Sequence, residues 1–403
     1  MTADEPQSVA RFREFLRIKT VPPVHDYAGC NAFLIRQAEE IGLEHQIVEC
    51  VKGIPVVILK LAGTDPTAKS ILLSSHIDVV PVFEERWTYP PFGATRVPTE
   101  DGDHKIYSRG TQDMKITCMH YLEALRILAA NGKKFKRNVF AVFAPDEETG
   151  GYQGIGEFVK SKEFEELNAG FDVDEGMPAA GQTHSFFYAE RSTIQFTITA
   201  VGSTGHGSQF LNDTAIEKII PAVNELLAFR TSQKEKFAAL NDNENIKSGE
   251  VTSINLTQFN GGKQINIIPA TYSASFDVRV SPKDDFQKIR NMIIDIAKKN
   301  GLEIKFYSQN TEASAPTVID KENIFISTFF NVCEKRNMNI VPIICPATSD
   351  ARHVRSKGIP SFGVNPILNH PFLAHDHDEY IIESEYIKGI DFYVDLIPAL
   401  ANC

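Results

Sequence analysis

Positive charge is in short supply in this chain. Its 403 residues carry 41 Lys and Arg against 52 Asp and Glu, a formal charge of -11 with His neutral. Nucleic acid and anionic membrane surfaces both require a basic footprint, so neither is expected as a main partner. Long apolar runs are also missing, and no stretch approaches the roughly 18 residues that suggest a membrane span. The opening residues Met1-Thr2-Ala3-Asp4-Glu5-Pro6 hold acids and no apolar core, so no secretory leader is expected. The six cysteines, Cys30, Cys50, Cys118, Cys333, Cys345 and Cys403, lack CxxC spacing. That scatter argues against a disulfide framework and against a thiolate zinc site, and the expected compartment is the reducing cytoplasm. Internal repeats and low-complexity tracts are absent.

What remains is an ordinary globular composition, 42% hydrophobic and 23% charged. Single cores rarely grow beyond roughly 250–300 residues, so two domains are expected. The chain opens with helical spacing from Pro6 to Ile18 and again from Asn31 to Ile41, followed by strand-like runs His45 to Val51 and Pro55 to Leu61. Ser70 to Ser75 and Val139 to Ala144 are short apolar runs of the buried-strand type, with a helix from Lys115 to Asn131 between them. A helical stretch, Gly154 to Leu167, and a strand, Ala169 to Val173, follow. This alternation predicts an α/β fold with a mixed, mostly parallel sheet flanked by helices.

The pattern changes near Ala189. Strands at Thr193 to Val201, Glu250 to Phe259, Thr271 to Val280 and Leu302 to Tyr307 are interleaved with helices at Asp213 to Phe229 and Pro282 to Asn300. The order βαββαβ is that of a ferredoxin-like α+β sandwich. Residues 189–310 are therefore expected to form a small inserted domain, with residues 1–188 and 311–403 together forming the first domain. The resumed part supplies a helix from Ile324 to Arg336, strands at Ile340 to Ile344 and Pro360 to Val364, and a helix from Glu383 to Leu400.

Chemistry-bearing residues gather at predicted strand ends. Asp146-Glu147-Glu148-Thr149-Gly150-Gly151 directly follows an apolar strand. Three adjacent carboxylates at the end of a buried strand are costly unless they face water, strong donors or a metal. His76-Ile77-Asp78 puts an imidazole and a carboxylate on one face of an extended segment, where the acid can orient a ligating histidine. Asp113, Asp174-Glu175-Gly176 and His375-Asp376-His377-Asp378-Glu379 complete the set. Singly, each has an ordinary reading as a surface pair, a helix cap or a polar loop. Together they offer His and carboxylate ligands without cysteine, which suits zinc or a similar divalent ion.

These motifs, with Arg109 to Lys115, Tyr188 to Ser192, Gly202 to Ser208 and Asn266 to Ala270, resemble in order those of the co-catalytic di-zinc amidohydrolase and carboxypeptidase family. The resemblance covers nearly the whole chain and is strongest for the branch that hydrolyses N-acyl-L-amino acids. It gives the first domain a catalytic, metal-binding role and the inserted one a lid or dimerisation role. It implies two Zn2+ per subunit, with Co2+ or Mn2+ as substitutes, Asp113 as bridging ligand, and His76, Glu148, Glu175 and His375 as the other ligands. His375 rather than His377 follows the pattern of a ligand four residues before a glutamate, here Glu379. Glu147 is implied as general base towards a metal-bridging water, and Asp78 as the partner that orients His76. His206 resembles a histidine that reaches the partner subunit's active site in a homodimer paired through the inserted domain. Asn266, Arg279 and Arg352 match positions associated with substrate binding, and Arg279 has an alternative partner in Asp277. The implied substrate is a small N-acyl-L-amino acid; dipeptidase or aminopeptidase action, or a non-catalytic binding role, are the alternatives.

Overall fold

The computed structural model describes residues 5–241, 247–307 and 311–403. Its contacts group into two compact units, one of Met1–Tyr188, Thr317–Pro342 and Ser349–Cys403, the other of Ala189–Pro316 and Ile343–Thr348.

The first unit opens with α1 (Gln7–Leu16), which buries Val9, Phe12, Phe15 and Leu16 at helical spacing. Helix α2 (Tyr27–Ile41) starts four residues earlier than its apolar pattern suggests, because the Asp26 side chain accepts from the Gly29 N–H. Strands β1 (Glu44–Val51), β2 (Ile54–Leu61) and β3 (Ser70–His76) follow. Two short strands that sequence periodicity does not reveal, β4 (Thr95–Pro98) and β5 (His104–Tyr107), precede α3 (Lys115–Ala130) and β6 (Val139–Ala144). The single helix expected over 154–167 is two, α4 (Ile155–Phe158) and α5 (Lys162–Glu166), because Ser161 breaks off the first and caps the second through Phe164 N–H. Strands β7 (Ala169–Glu175) and β8 (His184–Glu190) come next, and β8 was not anticipated.

The second unit is built from β9 (Ser192–Val201), β10 (Gly205–His206), α6 (Ala215–Ala239), β11 (Ser253–Gly261), β12 (Ile267–Ile268), β13 (Thr271–Val280), α7 (Phe286–Lys299) and β14 (Glu303–Phe306). The remaining elements are α8 (Ile324–Lys335), β15 (Ile340–Cys345), α9 (Ala351–Arg355), β16 (Ser361–Val364), β17 (Tyr380–Ile382) and α10 (Glu383–Asn402).

The large sheet runs β1-β2-β6-β3-β7-β16-β8-β15. Its centre, β6, β3, β7 and β16, is parallel, whereas β1 with β2, β2 with β6 and β16 with β8 pair antiparallel. The period of two divides each central strand between two cores. Ile71, Leu73, Val139, Ala141 and Phe143 join helices α1, α2, α3 and α10 on one face, while Leu72, Phe140 and Val142 join Ile155, Phe158 and Val354 on the other. A three-stranded sheet, β17-β5-β4, sits in the same unit.

The second unit has the antiparallel order β11-β13-β9-β14, with α6 and α7 contributing to one core around Phe196, Ile198, Phe276 and Val278. This is the strand order that a split βαβ winding produces. Helix α6 continues ten residues past the expected end at Phe229, through a polar stretch in which Gln233 is still buried.

Candidate metal centre

Parallel strands end on one edge, and in this sheet the β3, β6 and β7 C-termini deliver His76, the loop of Glu147 and Glu148, and Glu175 to the same place. Asp113 arrives from the turn before α3 and His375 from the loop before β17. His76 Nε2 lies 3.1 Å from Asp113 Oδ1, 3.5 Å from Glu175 Oε2 and 3.9 Å from Glu147 Oε2. His375 Nε2 lies 3.2 Å from Asp113 Oδ2 and 3.1 Å from Glu148 Oε2. One Asp113 oxygen thus faces each histidine, and two carboxylates flank the pair, one on either side.

The electrostatics fit a cationic occupant. Burial raises the Glu147 carboxyl well above its usual range, against the opposing pull of His76. Burial and the charge of Asp113 push Glu148 up to about 7, and burial raises Glu175 too. Burial also works to raise Asp113, but hydrogen bonds and charge from His375 and His76 outweigh it and hold the carboxyl below its usual range. Hydrogen bonds that His375 donates to Asp113 and Glu148 raise its imidazole to about 10. Burial alone would lower His76, but the charge of Glu175 and bonds with Asp113, Asp78 and Glu175 raise it. Without a metal, protons on the histidines must offset the acids. Glu148 Oε1 is buried without a hydrogen-bond partner, and two sets, His76 with Asp113 and Glu148, and His76 with Glu147 and Glu175, offer donor atoms all within 4.8 Å of one another. The residues present therefore fit a metal.

Asp78 faces both His76 and the loop of the two glutamates. Strand β3 ends at His76, so the same-face relation of i and i+2 does not continue. The His76 Nδ1 partner at 3.0 Å is the Asp78 carbonyl, with the carboxylate at 3.5 Å. The carboxylate also accepts from Glu147 N–H at 3.2 Å and Glu148 N–H at 3.1 Å, fixing the loop that carries both glutamates. Asp146 adopts φ 79°, and its carboxylate accepts from Gln153 N–H at 2.9 Å, so its work is to turn that loop.

Glu379 is the functional residue that sequence reasoning used only as a landmark. It is fully buried, and its two oxygens accept from Arg109 Nη1 at 2.6 Å, Gly110 N–H at 3.2 Å, Thr111 Oγ1 at 3.3 Å, Gln112 N–H at 2.7 Å and Asp113 N–H at 3.4 Å. It therefore holds the turn that presents Asp113. No local spacing marks it, because the strand that follows it, β17, has only three residues and the turn it holds lies 270 residues away in the chain. His377 pairs with Asp376 at 3.5 Å, so within the alternating motif His375 alone joins the cluster among the described contacts.

Arg352 is buried and donates to the Ser349 carbonyl at 3.0 Å and to the Gly150 carbonyl, while its guanidinium lies over the Tyr152 ring. It props the Glu147–Thr149 loop. The other three candidates belong to the second unit. His206 is exposed on a two-strand ribbon pairing with Ile267, its Nδ1 2.7 Å from Ser208 Oγ. Asn266 is exposed next to that ribbon, its carbonyl accepting from Gly207 N–H at 2.8 Å. Arg279 on β13 is half-buried and forks onto Asp277, Nε to Oδ1 2.8 Å and Nη2 to Oδ2 3.2 Å.

Comparison with known proteins agrees in sequence and in fold. The chain is 42% identical over 400 residues to human aminoacylase-1, covering 99% of this chain and 96% of that protein. Aminoacylase-1 of Dictyostelium discoideum is 39% identical, covering 99% of this chain and 98% of that protein. A crystal structure of an M20 family metallo-carboxypeptidase from Sulfolobus solfataricus shares the fold, with TM-score 0.76 and 18% identity over 98% of this chain and 100% of that one. Residues 72–399 match peptidase family M20/M25/M40, and the chain belongs to that family.

Proposed function

We propose that the chain is an amidohydrolase holding two Zn2+ that hydrolyses N-acyl-L-amino acids to a carboxylate and a free L-amino acid. The full-length similarity to aminoacylase-1 supports the substrate class. The observation that carries the mechanism is the placement of Glu147. Its carboxylate is buried at the cluster, 3.9 Å from His76, beside Glu148 and Glu175, which flank the two histidines more closely.

His76 and Glu175 would hold one ion, His375 and Glu148 the other, with Asp113 shared between them. Such a pair, when bound, supplies Lewis acidity that polarises the amide carbonyl and makes a water acidic. Glu147 takes a proton from the attacking water as the carbon–oxygen bond forms. It then gives that proton to the amide nitrogen as the carbon–nitrogen bond breaks, so it returns to its starting state. Burial raises its proton affinity, which favours taking up that proton. Asp78 and Glu379 fix the two loops on which this geometry depends.

In a homodimer paired through the second unit, His206 of each subunit would donate to the oxyanion in its partner's site, with Asn266 beside it. Arg279, held by Asp277 through Nε and Nη2, is the receptor for the substrate's α-carboxylate through the guanidinium N–H groups that Asp277 leaves unengaged. Arg352 is occupied by backbone carbonyls and serves the loop instead. A cytoplasmic location is part of the proposal and rests on the scattered cysteines; among the described residues no helix is long and apolar enough to cross a membrane.

The test is a metal count on purified protein together with hydrolysis of N-acetyl-L-methionine beside a dipeptide panel, with and without a chelator. Two equivalents of zinc and chelator-sensitive deacylation are expected. Dipeptide cleavage without deacylation would move the substrate class, and neither metal nor hydrolysis would remove the enzyme.

A further inference from the structure

The second unit contains a cleft of about 240 Å3 that no step of the proposed reaction uses. One wall is the late part of α6, where Arg230, Gln233, Lys234 and Phe237 fall at i, i+3, i+4 and i+7 and so share a face. The other wall is the start of β11 with the segment before it, including Val251 and Ile254. This late part of α6 is the extension that apolar periodicity did not reveal. Its polar residues line the cleft.

Three features point to a ligand. First, among the described residues the cations of the cleft have no counter-charge. Arg191 also lines it, and its partners are neutral: the Pro346 carbonyl at 2.7 Å, the Val251 carbonyl at 3.3 Å and Ser253 Oγ at 3.2 Å. Arg230 donates Nε to Asn255 Oδ1 at 2.9 Å. Among the described residues, Arg191, Arg230 and Lys234 make no ion pair. The surrounding acids are engaged elsewhere: Asp277 with Arg279, Asp284 with Thr252 Oγ1 and Lys236, and Glu250 with Lys283. Second, Gln233 is 5% exposed, and its Oε1 is buried with no hydrogen-bond partner. A buried acceptor left unpaired costs free energy unless a donor arrives. Third, the floor is apolar, with Val251 and Ile254 buried and Phe237 at the rim.

A ligand satisfying all three carries a carboxylate, an N–H near it and an apolar side chain. We infer that this cleft is a second, non-catalytic binding site for an α-amino acid or its N-acyl derivative. The carboxylate lies between Arg230 and Lys234, the N–H reaches Gln233 Oε1, and the side chain rests on Val251, Ile254 and Phe237. The ligand's biological identity rests on the proposed activity, whose product or substrate it would be. The site itself rests only on the cleft.

Isothermal titration of the zinc-loaded full chain with L-methionine tests it, using the parent and an Arg230→Gln/Lys234→Gln double variant. The parent should show two classes of site and the variant one, with the lost class weakened by about tenfold or more, as removal of charge-assisted hydrogen bonds predicts. Because neither residue belongs to the catalytic set, kcat/KM at low substrate should be unchanged in the double variant. Gln233→Met should remove the preference of this site for L-methionine over 4-(methylthio)butanoate, its analogue without the amino group, while retaining carboxylate binding. Circular dichroism matching the parent's shows that a lost site is not lost folding. Superimposable isotherms for parent and double variant would overturn the site. Inorganic phosphate binding there as tightly as L-methionine would overturn the amino-acid assignment. Binding is read without turnover, so a chain that fails to deacylate but retains the second site would sink the activity and not the cleft.

Discussion

Replacing Glu379 by Gln tests whether the metal centre depends on a carboxylate that touches no metal. Both Glu379 oxygens face donors only: one accepts from Arg109 Nη1 and Gly110 N–H, the other from Thr111 Oγ1, Gln112 N–H and Asp113 N–H. An amide of the same shape puts an NH2 group against one of those two sets, so donors meet donors whichever way it turns. It also leaves the Arg109 guanidinium, 3% exposed, without its charge partner. Breaking a buried ion pair by removing one member costs about 3–5 kcal/mol. The effect should reach the metal, because Asp113 lies at the end of the turn that Glu379 holds. Supporting residues of this kind are worth about 10–100-fold in metal affinity. Chemical denaturation of the metal-free variant reads the first quantity, and competition with a chromogenic chelator reads the second. A variant with the parent's stability and metal affinity would refute the assignment of Glu379 as the clamp on this turn.

Other perturbations follow from the same geometry. Gly151 has φ +62°, and a Cβ there would stand 2.1 Å from Asp350 Oδ1, so Gly151→Ala should cost about 1–3 kcal/mol and displace the Glu147–Thr149 loop, which melting temperature and turnover together would register. Asp172 is fully buried between Ser74 and Ser361, and burial pushes its carboxyl up to about 6. Its folded state therefore prefers the proton: the stability that this group contributes is fully present below about pH 4 and is lost as pH rises through about 6, by about 3 kcal/mol. Denaturation at pH 4 and pH 7 should show that pH slope reduced in Asp172→Asn. His206→Ala should lower kcat by about 10²–10³-fold while leaving zinc content unchanged, as loss of an oxyanion donor does; metal analysis beside steady-state kinetics checks it.

The parts of the molecule legible in the sequence are those in which one strong local rule acts. The runs Ser70 to Ser75 and Val139 to Ala144 are apolar throughout because their strands are buried on both faces. Their ends announce chemistry because acids and histidines follow them. The short strands β4, β5 and β17 leave no such trace: each has three or four residues and finds its partner only through the fold. Helix α6 outran its prediction because its last turns are polar, and α2 began early because Asp26 capped it. In the site, residue type and order pointed to His76, Asp113, Glu148, Glu175 and His375, and the structure draws these side chains together. The support layer was less readable. Asp78 serves the backbone of the glutamate loop, Glu379 the turn before Asp113, and Arg352 the Gly150 carbonyl. These are long-range bonds to backbone groups, which leave no spacing signal in the chain.

The central claim is that Glu147 moves the proton while its neighbours hold the metals. Its most direct test is Glu147→Gln, assayed for zinc content and for single-turnover hydrolysis of N-acetyl-L-methionine. The variant should bind zinc as the parent does and lose about 10²–10⁴-fold in the rate of the chemical step. Near-parent turnover with metal bound would contradict the account.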